Sequence, residues 1–199
     1  MSRLRREDVI EAASRLFAVH GYHGTSMRDL GTELGILGGS VYAHVSSKEE
    51  LLVEVVHRAG RLFGEAAEGA LTGSQSPSDQ LKALIAAHIG VVLNHRDEVQ
   101  TFLNEAAALD GAHRDEIIAE RDRYETIFRS VVKAGVADGT FRADLDIDLA
   151  TIFVLSILNA IERWYRPDGR VDQAALVSEI YWFATVGISQ EIETVDLPE

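Results

Sequence analysis

The sequence has no cysteine among its 199 residues. That excludes a disulfide framework and any zinc site built on thiolates, and it suits a reducing compartment. It has three prolines, and nowhere does valine or isoleucine alternate at period two over a sustained stretch, so a β reading has no support. No run is long and apolar enough to span a bilayer. The opening Met1-Ser2-Arg3-Leu4-Arg5-Arg6 turns acidic at Glu7-Asp8 instead of leading into an apolar stretch. No secretory signal is therefore expected, and the cytoplasm is the expected location. Positive charge is also scarce: 19 Lys and Arg stand against 32 Asp and Glu, a net charge of −13.

That acidity argues against a nucleic-acid partner only if it is spread evenly, and it is not. Residues 1–48 carry six cations (Arg3, Arg5, Arg6, Arg15, Arg28, Lys48) and five acids (Glu7, Asp8, Glu11, Asp29, Glu33), a net of +1, which leaves −14 for the remaining 151 residues. A near-neutral segment with its cations gathered on one face can still bind phosphate, while the acidic remainder discourages loose contact with DNA elsewhere.

The chain reads as helix throughout. Val9, Ile10, Ala13, Leu16 and Phe17 lie at helical spacing over about 7–20, and Gly21 is expected to end that helix. Thr25 is placed as the N-cap of a helix over 26–34, with Met27, Leu30 and Leu34 facing inward. Gly35 breaks it, and a short segment over 39–45 follows. Ser47-Lys48-Glu49-Glu50 has the form of a capping box opening a long helix to about Gly69. After a polar loop, Pro77 begins a helix to about Leu93. Further helices are expected over 97–109, 113–137 and 149–165, the last capped by Asp146 or Asp148. A final one runs from Asp172 to about Ile192. Apolar residues make up 46% of the chain, enough for a core.

Two short helices joined by a tight glycine turn are what a helix-turn-helix requires, and the second must be short and exposed to enter a major groove. The second helix begins with Gly38, Gly39 and Ser40, small enough for close approach to DNA. Tyr42, His44 and Lys48 offer donors that could track a phosphate strand. Arg28 could reach a guanine edge or a phosphate. Arg3, Arg5 and Arg6 form a basic arm suited to backbone or minor-groove contacts.

Thr25, Asp29-Leu30, Gly35, Gly39, Val41-Tyr42, His44 and Lys48 together resemble the signature of the TetR family of one-component regulators. The resemblance covers about a quarter of the chain by motif, and all of it by size and helix order. Two positions depart from the pattern. Leu37 stands where a serine or threonine usually caps the recognition helix, and Val45 stands where phenylalanine follows the histidine. The resemblance implies an all-α fold: an N-terminal three-helix helix-turn-helix domain (1–48) and a C-terminal helical ligand-binding and dimerisation domain (49–199). It implies a regulator, by default a repressor, and no enzyme, with no cofactor and no metal. The expected partners are double-stranded operator DNA, a second copy of the chain and a small hydrophobic effector, with no membrane.

The last two helices are too apolar for the surface of a monomer. Phe153, Ile157 and Ile161, with Tyr181, Phe183 and Ile188, are the expected dimer contacts, in a four-helix arrangement. His88, Val92, Phe102, Glu105, Tyr124, Phe128 and Asn159 are the candidate effector contacts. His88 and Asn159 stand out because each interrupts an apolar helix, and a buried polar group needs a partner. The stretches 141–148 and 163–169 resemble a branch of the family that controls fatty-acid, aromatic-acid or sterol catabolism and often answers to acyl-CoA thioesters. The turn residues Ile36-Leu37 are also found in that branch. Arg163 and Trp164 of the second stretch join the candidate effector contacts, and Arg121, Arg123, Arg163 and Arg166 are the candidate rim charges for a phosphate-bearing head group.

Three rival readings have discriminating signs. A repressor of an efflux system would take flat or cationic compounds. A helical-bundle metalloenzyme could use Glu54 and His57 as a Glu-x-x-His pair, but no second pair stands at a matching position. An interaction protein without DNA binding would give no operator footprint.

Overall fold

A computed structural model of the chain describes residues 4–73 and 76–188. The fold is all-α. Among the described residues the helices are α1 (Arg6–Gly24), α2 (Met27–Glu33), α3 (Gly38–Val41), α4 (Lys48–Leu71), α5 (Pro77–Asn94), α6 (Arg96–Asn104), α7 (Gly111–Asp138), α8 (Ile147–Trp164) and α9 (Gln173–Val186). A 3-10 turn, Ala106–Ala108, follows α6. None of the helices is long and apolar enough to cross a membrane.

Local chemistry sets most of the starts. The Asp146 Oδ1 accepts the Leu149 N–H at 3.0 Å and the Asp172 Oδ1 accepts the Ala175 N–H at 2.8 Å, each capping its helix. Asp148 is engaged elsewhere, with Arg129. The Ser76 hydroxyl caps α5 by accepting from the Asp79 N–H, and Pro77 takes the first helical position. Ser47 Oγ accepts the Glu50 N–H at 3.0 Å, as the capping box requires. The Glu50 carboxylate reaches back one residue further than expected, to the Ser46 N–H at 2.6 Å.

The chain divides into two compact units. The first comprises Met1–Leu62 with Asn94–Arg121, and the second comprises Phe63–Leu93 with Asp122–Glu199. Helices α4 and α7 each contribute residues to both. The first unit buries Val9, Ala13 and Phe17 of α1 with Leu30, Val41, Leu51, Leu52 and Val55. The second buries Leu81, Leu84 and Ile89 of α5 with Phe128, Phe141, Val154, Leu158 and Leu176.

Four expectations about the elements are corrected. Gly21 does not end α1 but kinks it, with φ 75° and ψ 161°, and the helix resumes to Gly24. Ser26, not Thr25, is the N-cap of α2. The second helix of the motif is only Gly38–Val41. Beyond it the Ala43 and His44 N–H groups bond three residues back, to Ser40 and Val41, so the chain continues as tight turns. Helix α9 ends at Val186, and Ile192, where it was expected to stop, lies outside the described residues.

Candidate nucleic-acid interface

The hairpin of α2 and α3 is built by short-range bonds and one close crossing. Asp29 and Ser26 cap reciprocally: the Asp29 N–H donates to Ser26 Oγ at 3.2 Å, and the Ser26 N–H donates to Asp29 Oδ2 at 2.8 Å. Hydrogen bonds from Ser26 hold the Asp29 carboxyl below its ordinary pKa. At the far end Gly35 adopts φ 68°, a conformation that suits glycine, and the Ile36 N–H closes the helix onto the Gly31 carbonyl at 2.8 Å.

The two helices then meet without side chains between them. A Cβ on Gly31 would lie 2.6 Å from the Gly38 nitrogen and 2.7 Å from its Cα. One on Gly38 would lie 3.0 Å from the Arg28 Cα. This crossing fixes α3 on α2. Val41 and Val45 anchor the hairpin in the core of the unit. Val45, standing where the family pattern has phenylalanine, is thus a core residue.

What this leaves outward is small and nearly uncharged. Gly39, Ser40 and Arg28 are exposed, Tyr42 is 55% exposed, and His44 is half-buried. Leu37 is 80% exposed and makes no side-chain cap, so α3 starts without one. The structure thus brings Arg28, Gly38, Gly39, Ser40, Tyr42 and His44 together on one hairpin.

The other expected DNA contacts among the described residues have partners within the unit. Thr25 is 2% exposed, and its hydroxyl donates to the carbonyls of Gly21 (2.9 Å) and Leu16 (3.2 Å). Lys48 Nζ donates to the carbonyls of Tyr22 (2.9 Å) and Thr25 (2.8 Å), and lies 4.3 Å from the centre of the Tyr22 ring. Arg6 pairs with Glu50 (2.9 Å) and Glu54 (3.0 Å). Arg5 pairs with Asp8 at 3.3 Å. Arg3 lies outside the described residues. Of the cations expected at the DNA, Arg6 and Lys48 thus tie α1 to α4, and Arg5 pairs within the start of α1.

Glu105 has a partner far along the chain. Expected among effector contacts, it belongs to the first unit, where its Oε2 accepts the Tyr22 N–H at 3.0 Å. The kink at Gly21 leaves that N–H without a helical partner. Tyr22 is therefore gripped at both ends of its backbone, by Glu105 on the N–H and by Lys48 on the carbonyl. Phe102 also belongs to the first unit, with the Arg121 guanidinium stacked 4.6 Å from its ring centre and donating to its carbonyl. Sequence reasoning missed Gly31 and Tyr22. A glycine one residue after an inward leucine of α2 was a usable signal for the crossing, but nothing local pointed to Tyr22.

In the second unit His88, Val92 and Phe128 are buried. His88 Nδ1 lies 3.0 Å from the Tyr124 hydroxyl. Asn159 is half-buried, and Arg163 and Trp164 are exposed. Of the expected dimer contacts, Phe153 and Phe183 are 61% and 64% exposed, and Ile157 is half-buried. Ile161 and Ile188, also expected there, are buried within the unit, and Ile188 lines the same groove as Phe153. Tyr181 is half-buried, and its hydroxyl pairs with Ser78 Oγ at 2.5 Å. Leu149, Ile152, Trp182 and Val186 extend the exposed apolar face instead. Phe153, Ile157, Trp182 and Phe183 help to line a groove of about 570 Å³. Among the described residues no group of three or more His, Asp or Glu could hold a metal ion.

Comparison with known proteins agrees with this geometry. Residues 9–55 match the model of bacterial regulatory proteins of the tetR family, and residues 74–188 match the tetracyclin repressor-like C-terminal domain. The HTH-type transcriptional repressor KstR2 of Mycolicibacterium smegmatis is 30% identical over 94% of this chain and 91% of its own. The structure of the ketosteroid transcriptional regulator KstR2 of Mycobacterium tuberculosis superposes with a TM-score of 0.88 at 27% identity, covering 96% of this chain and 98% of that one. That of AibR, in complex with isovaleryl coenzyme A and operator DNA, gives a TM-score of 0.84 at 25% identity, covering 90% and 97%. The two KstR2 relatives are named as a transcriptional repressor and a transcriptional regulator, not as enzymes. The chain belongs to the TetR family of DNA-binding transcriptional regulators.

Proposed function

We propose that this regulator is a repressor that holds its operator as a homodimer and is released by a small hydrophobic effector, an acyl-CoA thioester. The observation that carries the effector class is the likeness along nearly the whole chain to a regulator solved with isovaleryl coenzyme A and operator DNA. The second unit supplies matching chemistry. Its interior is apolar, with a polar pair of buried His88 and half-buried Tyr124. Arg163 and Trp164 are exposed at the end of α8 and offer a cation and an indole face to a phosphate-bearing, aromatic head group.

In this reading residues 1–48 meet DNA through Arg28, Gly38, Gly39, Ser40, Tyr42 and His44. The rest of the chain holds the effector and the second copy. The exposed apolar face of α8 and α9 supports dimerisation, since a contiguous patch of this kind marks an interaction site. Two copies can read a pseudo-palindrome only when their recognition helices lie about 34–36 Å apart, or a multiple of that. An effector that prefers a conformation with another spacing lowers operator affinity by that preference.

The test is fluorescence anisotropy of an operator duplex, titrated with short-, medium- and long-chain acyl-CoAs against free coenzyme A. Release by one or more thioesters, with none by coenzyme A alone, is expected. Operator affinity unmoved by every thioester would reject the effector class.

A further inference from the structure

The pair His88–Tyr124 carries an inference that rests on the effector reading above and goes further, to the kind of atom the effector presents. His88 is 2% exposed. Its Nδ1 faces the Tyr124 hydroxyl at 3.0 Å, and its Nε2 is buried with no protein hydrogen-bond partner among the described residues. The Phe63 ring lies 4.6 Å from the imidazole by centroids, and Phe128 lies 5.4 Å beyond Tyr124. Buried polar atoms in folded proteins are nearly always paired, so an imidazole nitrogen left over in an aromatic wall marks a place that something else completes.

We propose that Tyr124 holds His88 in the tautomer with its proton on Nε2, and that this N–H donates to an uncharged acceptor oxygen of the effector, a carbonyl such as that of a thioester or ketone. The tautomer follows from donor strength. A phenol is a better donor than an imidazole N–H, and an imidazole lone pair is a better acceptor than a phenol oxygen, so the Tyr124 O–H donates to Nδ1. A neutral ring then keeps its one proton on Nε2. Burial supports this protonation state: it pushes the His88 pKa down to about 3 and raises that of Tyr124.

The choice of a carbonyl follows from charge. One neutral N–H among Phe63, Tyr124 and Phe128 cannot offset the desolvation of a carboxylate, whereas a carbonyl gives up far less hydration. Free fatty acids are thereby discriminated against and their thioesters accepted. The Phe63 ring is the wall against which such a ligand would lie.

The test compares octanoyl-CoA with S-octyl-CoA, the thioether that lacks only the carbonyl oxygen, by titration calorimetry on the full chain. The wild type is expected to favour octanoyl-CoA by about tenfold, the worth of one buried hydrogen bond. In His88→Leu the preference should collapse to within about twofold, the lost bond removing its cause. Equal binding of the two by the wild type, or a preference that survives His88→Leu, overturns the proposal. Failure of both ligands to bind would instead count against the acyl-CoA reading. A second measurement needs neither ligand nor variant: long-range ¹H–¹⁵N NMR on the wild type should show a neutral His88 ring protonated at Nε2. A ring protonated at Nδ1 or a cationic ring overturns the proposal on its own.

Discussion

Replacing Gly31 by alanine tests whether the bare crossing of α2 and α3 is what seats the recognition helix. The added Cβ would meet the Gly38 nitrogen at 2.6 Å, its Cα at 2.7 Å and the Ile36 carbonyl oxygen at 2.9 Å. All three are backbone atoms, so no side chain can swing aside. Restoring ordinary contact near 3.5 Å requires the helices to part by about 1 Å. Overpacking of this kind costs roughly 1–3 kcal/mol, against a gain of up to about 1 kcal/mol from placing alanine in a helix. The net loss, about 1–2 kcal/mol, corresponds to a fall in melting temperature of a few degrees for a chain of this size. The displacement matters more for function. A good bidentate base contact is worth about 1–3 kcal/mol and is lost when a helix moves by such a distance, so operator affinity should fall tenfold to a hundredfold. Gly64→Ala is the control, because a Cβ there meets nothing within 4 Å. It should raise stability slightly and leave operator affinity alone. Circular dichroism melts and operator anisotropy read both variants. If Gly31→Ala melts higher than wild type and binds the operator as tightly, the crossing is not what positions the helix.

Four other perturbations separate the roles assigned above. Glu105→Ala should weaken operator binding several-fold by releasing the Tyr22 N–H, and Glu105→Gln, which keeps an acceptor, should restore much of it; equal loss in both, read by anisotropy, would refute that role. Lys48→Met should lower melting temperature as well as operator affinity, because both carbonyl bonds of the ammonium lie inside the unit, whereas Arg28→Ala should lower affinity alone; the same loss of stability in both would contradict the distinction. Phe183→Glu should convert the dimer to monomer in size-exclusion chromatography with light scattering, since it places a charge on the exposed apolar face; an unchanged mass would refute the assigned interface. Below about pH 6.5 the unfolded chain binds a proton at His88 that the folded chain, with its pKa near 3, does not. The stability linked to that residue is therefore complete above pH 6.5 and falls by about 1.4 kcal/mol per pH unit toward pH 3. Urea titrations should show this part of the slope disappear in His88→Leu, and a slope unchanged by that variant would place the proton elsewhere.

The features legible in the sequence are those fixed by residues a few positions apart. Gly35, at positive φ, ends α2 and lets the Ile36 N–H bond to the Gly31 carbonyl, Ser47 and Glu50 open α4, and Asp172 opens α9. Each is a local contest between side chain and backbone, decided before any tertiary contact forms. The direction of Lys48 is not local. Its two acceptors lie 26 and 23 residues away, and the partner of Glu105 lies 83 residues away. A lysine at the start of α4 and an acid after α6 look like solvated or ligand-facing charges until the kink at Gly21 presents the residue they share, Tyr22. Composition also misdirects here: the cations of the first 48 residues include Arg6 and Lys48, which the fold consumes internally, so their number overstates the charge available to DNA.

The apolar helices show the same limit from the other side. In α8 the buried positions Ala150, Val154, Leu158 and Ile161 and the exposed positions Leu149, Ile152 and Phe153 each recur at helical spacing. With apolar residues on both stripes, periodicity announces two burial surfaces but does not say which one the chain covers itself. The answer depends on α9. Its Leu176, Ile180 and Ala184 turn inward, and its Trp182, Phe183 and Val186 turn outward beside the exposed stripe of α8. Ile161 and Phe153 were therefore indistinguishable as dimer contacts in the sequence. One lies in the core of the unit and the other stands on its surface, and only the outward set offers a second copy anything to bury.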